Sequence, residues 1–275
     1  MKTSFVLEIF CVMKKQIKDI APKTTDLWEV VNFLDSYCEL AKFKDYDRAK
    51  NGLQAENSGK VARIATSVDA GLGEIKIAAH LGVDLLIVHH GMFWNPPIPF
   101  VNSNYEKIKT LIDSDIAVYS VHLPLDAHSK IGNNALIAKA LGLKKLGTCF
   151  EYGGENIGVL ASVPKNNREE LESRLKNLFP TTFKAIRYGS KTPKKVAICS
   201  GGSEDSLGEL ISMGVDTFIC GELRQHHFVL AQEVGLNLYP CGHYATERFG
   251  VMALGEVVAQ KFGLDCSFIE MPNPL

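Results

Sequence analysis

A chain of 275 residues with 46% apolar and 22% charged side chains suits one large globular domain or two of ordinary size, and it excludes a disordered polymer. The formal charge of −1 gives no global attraction to nucleic acid or an anionic membrane, and the basic run at 191–195 reads as a solvated loop. Seven cysteines, scattered and never spaced as C-x-x-C, argue against a disulfide framework and a thiolate zinc site, and they fit a reducing cytoplasm.

In chain order, residues 5–12 form a short apolar stretch interrupted by Glu8. It is too short to span a membrane and lacks a small-x-small cleavage site. Met13 offers a second start, so residues 1–14 read as an N-terminal extension that contributes little to fold or site. β-Branched runs predict strands at 61–66, 85–88, 118–121, 157–163, 196–199, 217–220 and 267–271. Helical patterns fall between them at 104–113, 133–141, 168–178, 228–234 and 247–262. This alternation predicts an α/β architecture. We expect two similar α/β lobes, 15–147 and 148–275, with mixed sheets flanked by helices and a metal site between the lobes. The glycine-containing segment 147–154 reads as their junction, and elements near the C-terminus are free to pack back on the first lobe.

The two halves share an order of features. Leu72-Gly73-Glu74-Ile75 followed by Gly82-Val83-Asp84-Leu85-Leu86-Ile87 echoes Leu207-Gly208-Glu209-Leu210 followed by Gly214-Val215-Asp216-Thr217-Phe218-Ile219. Each half then carries a histidine four residues before a carboxylate, His122–Asp126 and His243–Glu247, just after a strand-like run. The run from Asp84 also ends in a histidine pair, His89-His90-Gly91.

Imidazoles and carboxylates delivered by strand ends are what a hard-to-borderline metal ion requires. Neighbouring strand residues point to opposite faces, so joint ligation by His89 and His90 asks the chain to turn there, which Gly91 permits. The alternative for the pair is one core hydrogen-bond donor and one solvated ring. Pro124 argues against a simple helix carrying both His122 and Asp126, so a loop is expected to aim Asp126. Asp126 also reads as a turn or capping residue, and His128 lies nearer the solvated turn. His243 and Glu247 fit one face of a helix beginning after Gly242, with a surface pair as the alternative. Gly201-Gly202-Ser203 follows a strand and precedes a helix, a setting that suits a phosphate or simply a tight turn.

These segments resemble the type 2 GTP cyclohydrolase I family, also called NIF-three-like dinuclear metal-centre proteins. The resemblance rests on Gly82 to Trp94, on Val121-His122-Leu123-Pro124-Leu125-Asp126-Ala127-His128, on Gly132-Asn133-Asn134, and on Cys241-Gly242-His243-Tyr244-Ala245-Thr246-Glu247-Arg248. It runs from about Lys15 to the C-terminus and implies the short form, without an inserted domain. By that resemblance His89, His90, Asp126, His243 and Glu247 are the metal ligands, with Glu247 as the bridge between two divalent ions. His122 stands beside them as a further ligand or an acid/base, so His122 and Glu247 are the catalytic candidates. The resemblance also implies a toroidal homohexamer.

Two functional classes follow. One is a metal-dependent hydrolase in which two ions activate water, with GTP as substrate and opening of the guanine imidazole ring if the family name holds. The other is a metal-binding assembly or regulatory protein without efficient turnover. Zinc, iron and manganese all suit three imidazoles and two carboxylates.

Overall fold

Asp26 caps the first helix. In the computed structural model, which describes residues 23–94, 99–164, 167–202 and 207–274, its carboxylate accepts Trp28 N–H at 2.9 Å, satisfying a donor that has no partner inside the helix. Strand β1 (Thr25–Asp26) thus passes into α1 (Leu27–Tyr37), whose inward face, Leu27, Val30, Val31 and Leu34, is buried at the spacing an amphipathic helix demands. Short strands β2 (Gly52–Ala55) and β3 (Lys60–Val61) follow. Then come β4 (Arg63–Asp69), α2 (Leu72–Leu81), β5 (Leu85–His90), α3 (Asn102–Asp113) and β6 (Ala117–Ser120). Strand β5 opens Leu-Leu-Ile-Val and is buried residue after residue, because helices cover both faces of a parallel sheet.

Helices α4 (Leu123–Ala127) and α5 (Asn133–Ala140) lead to the hairpin β7 (Lys144–Tyr152) and β8 (Glu155–Ser162). Next are α6 (Arg168–Leu178), β9 (Ile186–Arg187), β10 (Lys195–Gly202), α7 (Leu207–Ser212), β11 (Thr217–Glu222), α8 (Gln225–Val234) and β12 (Asn237–Pro240). The long α9 (His243–Phe262) and β13 (Asp265–Phe268) complete the described elements.

The larger strands form two mixed sheets, ordered β13-β4-β5-β6-β2 and β7-β8-β10-β11-β12-β9. Each has a parallel core, β4-β5-β6 or β10-β11-β12; antiparallel strands flank the second core on both sides and the first on its β2 side. The α/β architecture of two sheet-rich lobes flanked by helices therefore stands. The C-terminus does return to the first lobe: β13 pairs parallel with β4. Helix α9 joins both cores, with Val251, Leu254 and Val258 in the first and Ala245 and Phe249 against the second.

The repeat legible in the sequence is built from matched devices. Gly82 and Gly214 both adopt positive φ, +63° and +67°, where an L side chain is strained. Val83 N–H returns to Ala78 O, and Val215 N–H to Leu210 O, each at 3.0 Å. Asp84 accepts the N–H groups of Ala62 and Arg63; Asp216 accepts those of Lys194 and Lys195. Each aspartate thereby pins the start of the preceding strand.

The segment 147–154 is not a linker. It carries the end of β7 and the Gly153–Gly154 turn of the β7–β8 hairpin, so a lobe boundary at 147/148 falls inside a strand. Turn glycines mark hairpins as readily as junctions. The terminal strand predicted at 267–271 starts earlier, at Asp265. Residues 1–14, like Ser203, lie outside the described residues. Among the described residues no helix is long and apolar enough to cross a membrane.

Candidate metal centre

Both parallel cores end at the same place. Asp69 closes β4, His89 and His90 close β5, and His122 follows β6; in the second sheet Gly201–Gly202 close β10, Glu222 closes β11, and His243 follows β12. The carboxyl ends of parallel strands are where α/β folds build their sites, because the chain leaves the sheet there and side chains converge without strand neighbours.

Four histidines meet there with one shared logic. The Nδ1 of His89 faces Val121 O at 3.0 Å, that of His90 faces Asp69 Oδ1 at 2.9 Å, that of His122 faces Asp45 Oδ1 at 3.0 Å, and that of His243 faces Glu222 Oε1 at 3.2 Å. An oxygen acceptor at Nδ1 calls for a proton on that nitrogen, and in the neutral ring this leaves a lone pair on Nε2. Oxygen partners of this kind orient and polarise metal-binding histidines.

Three of the four Nε2 atoms face carboxylates. His89 Nε2 lies 3.4 Å from Asp126 Oδ2 and 3.6 Å from Glu247 Oε1; His90 Nε2 is 3.5 Å from Glu247 Oε2, and His243 Nε2 is 3.1 Å from Glu247 Oε1. Lone pairs facing anions repel unless positive charge sits between them. The titration of the buried groups reflects this demand. Burial alone would depress the His89 imidazolium, but Asp126 and Glu247 outweigh it and raise its pKa. Burial would raise Glu247, yet His90 and His89 hold it well below the usual carboxylate range. Burial likewise opposes protonation of His243, and Glu247 and Glu222 lift it to about 9.

A cation answers the demand better than protons do. Among the described residues, His89 Nε2 and Glu247 Oε2 are two of the three buried side-chain polar atoms without a hydrogen-bond partner, although such atoms are costly to leave unpaired. Ligand atoms of His89, His90 and His122 lie within 4.8 Å of one another, as do those of His90, His243 and Glu247. Ligands about 2.1 Å from an ion and about 90–110° apart stand roughly 3.0–3.4 Å from each other, close to the 3.1–3.6 Å found here. The buried His/Glu cluster fits a metal ion.

Supporting residues explain the local chain. Helix α4 runs through Pro124, contrary to the expected loop: the proline sits in the first turn, where its missing N–H has no helical partner to lose. Asp126 therefore projects from a helix, and its Oδ1 accepts Asn133 Nδ2 and Ser200 Oγ, each at 2.8 Å, leaving Oδ2 toward His89. Gly91 makes no left-handed turn; it gives room to Gln54, whose Oε1 accepts Met92 N–H at 2.6 Å. Both histidines stay within β5, and both reach Glu247. Gly201 serves clearance as well: a Cβ there would overlap Glu247 Oε1 and come within 3.2 Å of His243 Nε2.

Two other histidines stand apart. His128 stacks on Tyr37, with ring centroids 5.0 Å apart, and its Nδ1 accepts the N–H of Lys130 and Ile131. His227 Nδ1 accepts Arg224 N–H at 3.0 Å at the start of α8. The sequence reading missed Asp45, Asp69 and Glu222, whose only signals are a carboxylate at a strand end or in a loop. Asp45→Asn should weaken metal retention by about 10–100-fold, since an amide accepts less strongly from His122 Nδ1. Competition against a chromogenic chelator measures this.

The family model described as Duf34/NIF3 (NGG1p interacting factor 3) matches residues 25–274. A Deinococcus radiodurans relative described as "GTP cyclohydrolase 1 type 2 homolog" is 36% identical over 248 residues, covering 90% of this chain and 94% of the relative. An Archaeoglobus fulgidus relative with the same description is 36% identical over 251 residues, covering 91% and 100%. Among solved structures, protein ybgI, described as of unknown function, superposes with a TM-score of 0.84 at 34% identity, covering 91% of this chain and all of that one. A Thermus thermophilus protein does so with 0.81 at 35% identity and the same coverage. The chain belongs to the Duf34/NIF3 family.

Proposed function

We propose that this chain is a hydrolase that works with two divalent ions, and that it acts as the GTP cyclohydrolase type 2 description of its relatives implies. Glu247 carries the reading. Its two oxygens face different histidines, Oε1 toward His89 and His243 and Oε2 toward His90, which suits a carboxylate shared by two ions. His89, His90, Asp126 and His243 would complete the ligand set. Bound there, divalent ions supply Lewis acidity and acidify water near neutral pH. Zinc, iron and manganese fit the donors equally.

The chain's own residues then divide the work. Asp126, fixed through Oδ1 by Asn133 and Ser200, presents one oxygen. His122 holds its Nδ1 proton against Asp45, and burial lowers its pKa. At neutral pH its Nε2 is therefore free to ligate or to take a proton from the reacting group. By likeness to its family, the chain is also proposed to assemble as a homohexamer in the cytoplasm.

Metal-replete protein incubated with GTP should release formate, and Glu247→Ala should abolish the release. A fully metallated protein inert toward GTP and a panel of nucleotides and phosphoesters would instead favour a metal-binding assembly or regulatory role for the same residues.

A further inference from the structure

Large aromatic rings stand at the rim of the histidine cluster. The Trp94 ring lies 4.6 Å from that of His122 and 5.3 Å from that of His90. Tyr46 lies 5.9 Å from His122 and 6.0 Å from Trp94, and Tyr152 lies 4.5 Å from Tyr46. None of the three is buried, and Tyr46 is 47% exposed. Rings recruited to stabilise the fold would be covered, whereas a cluster left open beside a polar site marks a binding surface.

The rings are also held in place. Asp45, next to Tyr46, accepts Leu123 N–H, His122 Nδ1–H and Asn51 Nδ2. Gln54 donates to Ala49 O and Lys50 O on the same loop and accepts Met92 N–H on the segment carrying Trp94. The loop bearing Tyr46 and the segment bearing Trp94 are thus tied through one glutamine, and Tyr152 reaches them from the β7–β8 hairpin of the other lobe. A pre-ordered aromatic surface loses little freedom on binding.

We propose that Tyr46, Trp94 and Tyr152 form an aromatic wall, with the Tyr46 and Trp94 planes 84° apart, in which one ring takes the face of a planar heteroaromatic ring, a neighbour meets its rim, and the bound ring's edge turns toward His122 and the metal centre. This inference rests on the hydrolase reading and names the part of the substrate that the site grips. The stacking is tolerant of the ring's identity, because every such ring has a π face; selection among rings falls to polar groups elsewhere.

Trp28 and Trp94 are the two tryptophans, and Trp28 is 49% exposed on α1. In metal-replete Trp28→Phe protein, emission therefore reports on Trp94 alone. GTP and guanosine should quench it saturably and ribose 5-phosphate should not, and Tyr46→Leu should weaken GTP binding about tenfold. Absence of saturable quenching, equal quenching by ribose 5-phosphate, or binding unchanged in Tyr46→Leu overturns the wall. The two readings fail separately. Saturable quenching without turnover leaves the wall standing and removes the hydrolase, while GTP turnover without quenching removes the wall alone.

Discussion

Glu247→Gln should hold well under one metal ion per chain, whereas Asp126→Asn should keep about one. The difference follows from where each carboxylate sits. Glu247 reaches three of the four histidines, and its Oε2 has no hydrogen-bond partner. An amide there supplies one neutral oxygen and turns an NH2 group toward imidazole nitrogens or a cation. Asp126 faces His89 alone through Oδ2, while Asn133 and Ser200 already occupy Oδ1. Its loss should therefore release one ion and leave the other held. Both variants should stay folded, because the side chains stand at the ends of strands and helices. Metal counting by elemental analysis decides the comparison. Equal losses, or a larger loss in Asp126→Asn, would move the bridge to the other carboxylate.

The sequence made the converging residues visible because their signals are local. Each histidine ends or follows an apolar run, so the strand that delivers it announces it. The repeat was legible for the same reason: Gly82-Val83-Asp84 and Gly214-Val215-Asp216 use one set of turn and capping devices. What stayed hidden depends on contacts between distant segments. Asp45 meets His122 across 77 positions and Asp69 meets His90 across 21, and no period or spacing connects them. The misreadings were local as well. Pro124 argues for a loop by a rule that applies to helix interiors, whereas here it stands in the first turn of a helix. Gly91 makes room for Gln54 and does not turn the chain, and Gly201, whose φ of +65° suits the tight turn, also makes room for Glu247. Clearance is a property of the partner, Gln54 or Glu247, and cannot be read from the glycine.

Gly201→Ala should damage the site from behind, and Gly202→Ala should not. At Gly201, with φ +65°, a Cβ would overlap Glu247 Oε1 and approach its Cδ to 3.2 Å. Glu247 has no room to retreat: it is buried on α9, and its other oxygen faces His90. Left-handed strain and overpacking together should cost about 2–4 kcal/mol of stability. Because the displaced atom faces His89 and His243, metal content should fall with it. At Gly202 the nearest atom to a Cβ is Glu222 Oε1 at 3.3 Å, the end of a flexible side chain that is 39% exposed. That variant should stay within about 1 kcal/mol of the parent and keep its metal. Calorimetric melting and metal analysis of the pair test this together. A Gly201→Ala protein that melts with the parent and binds a full complement of metal would show that Glu247 can move without loss, and that its packed position is not what fits the centre to a cation.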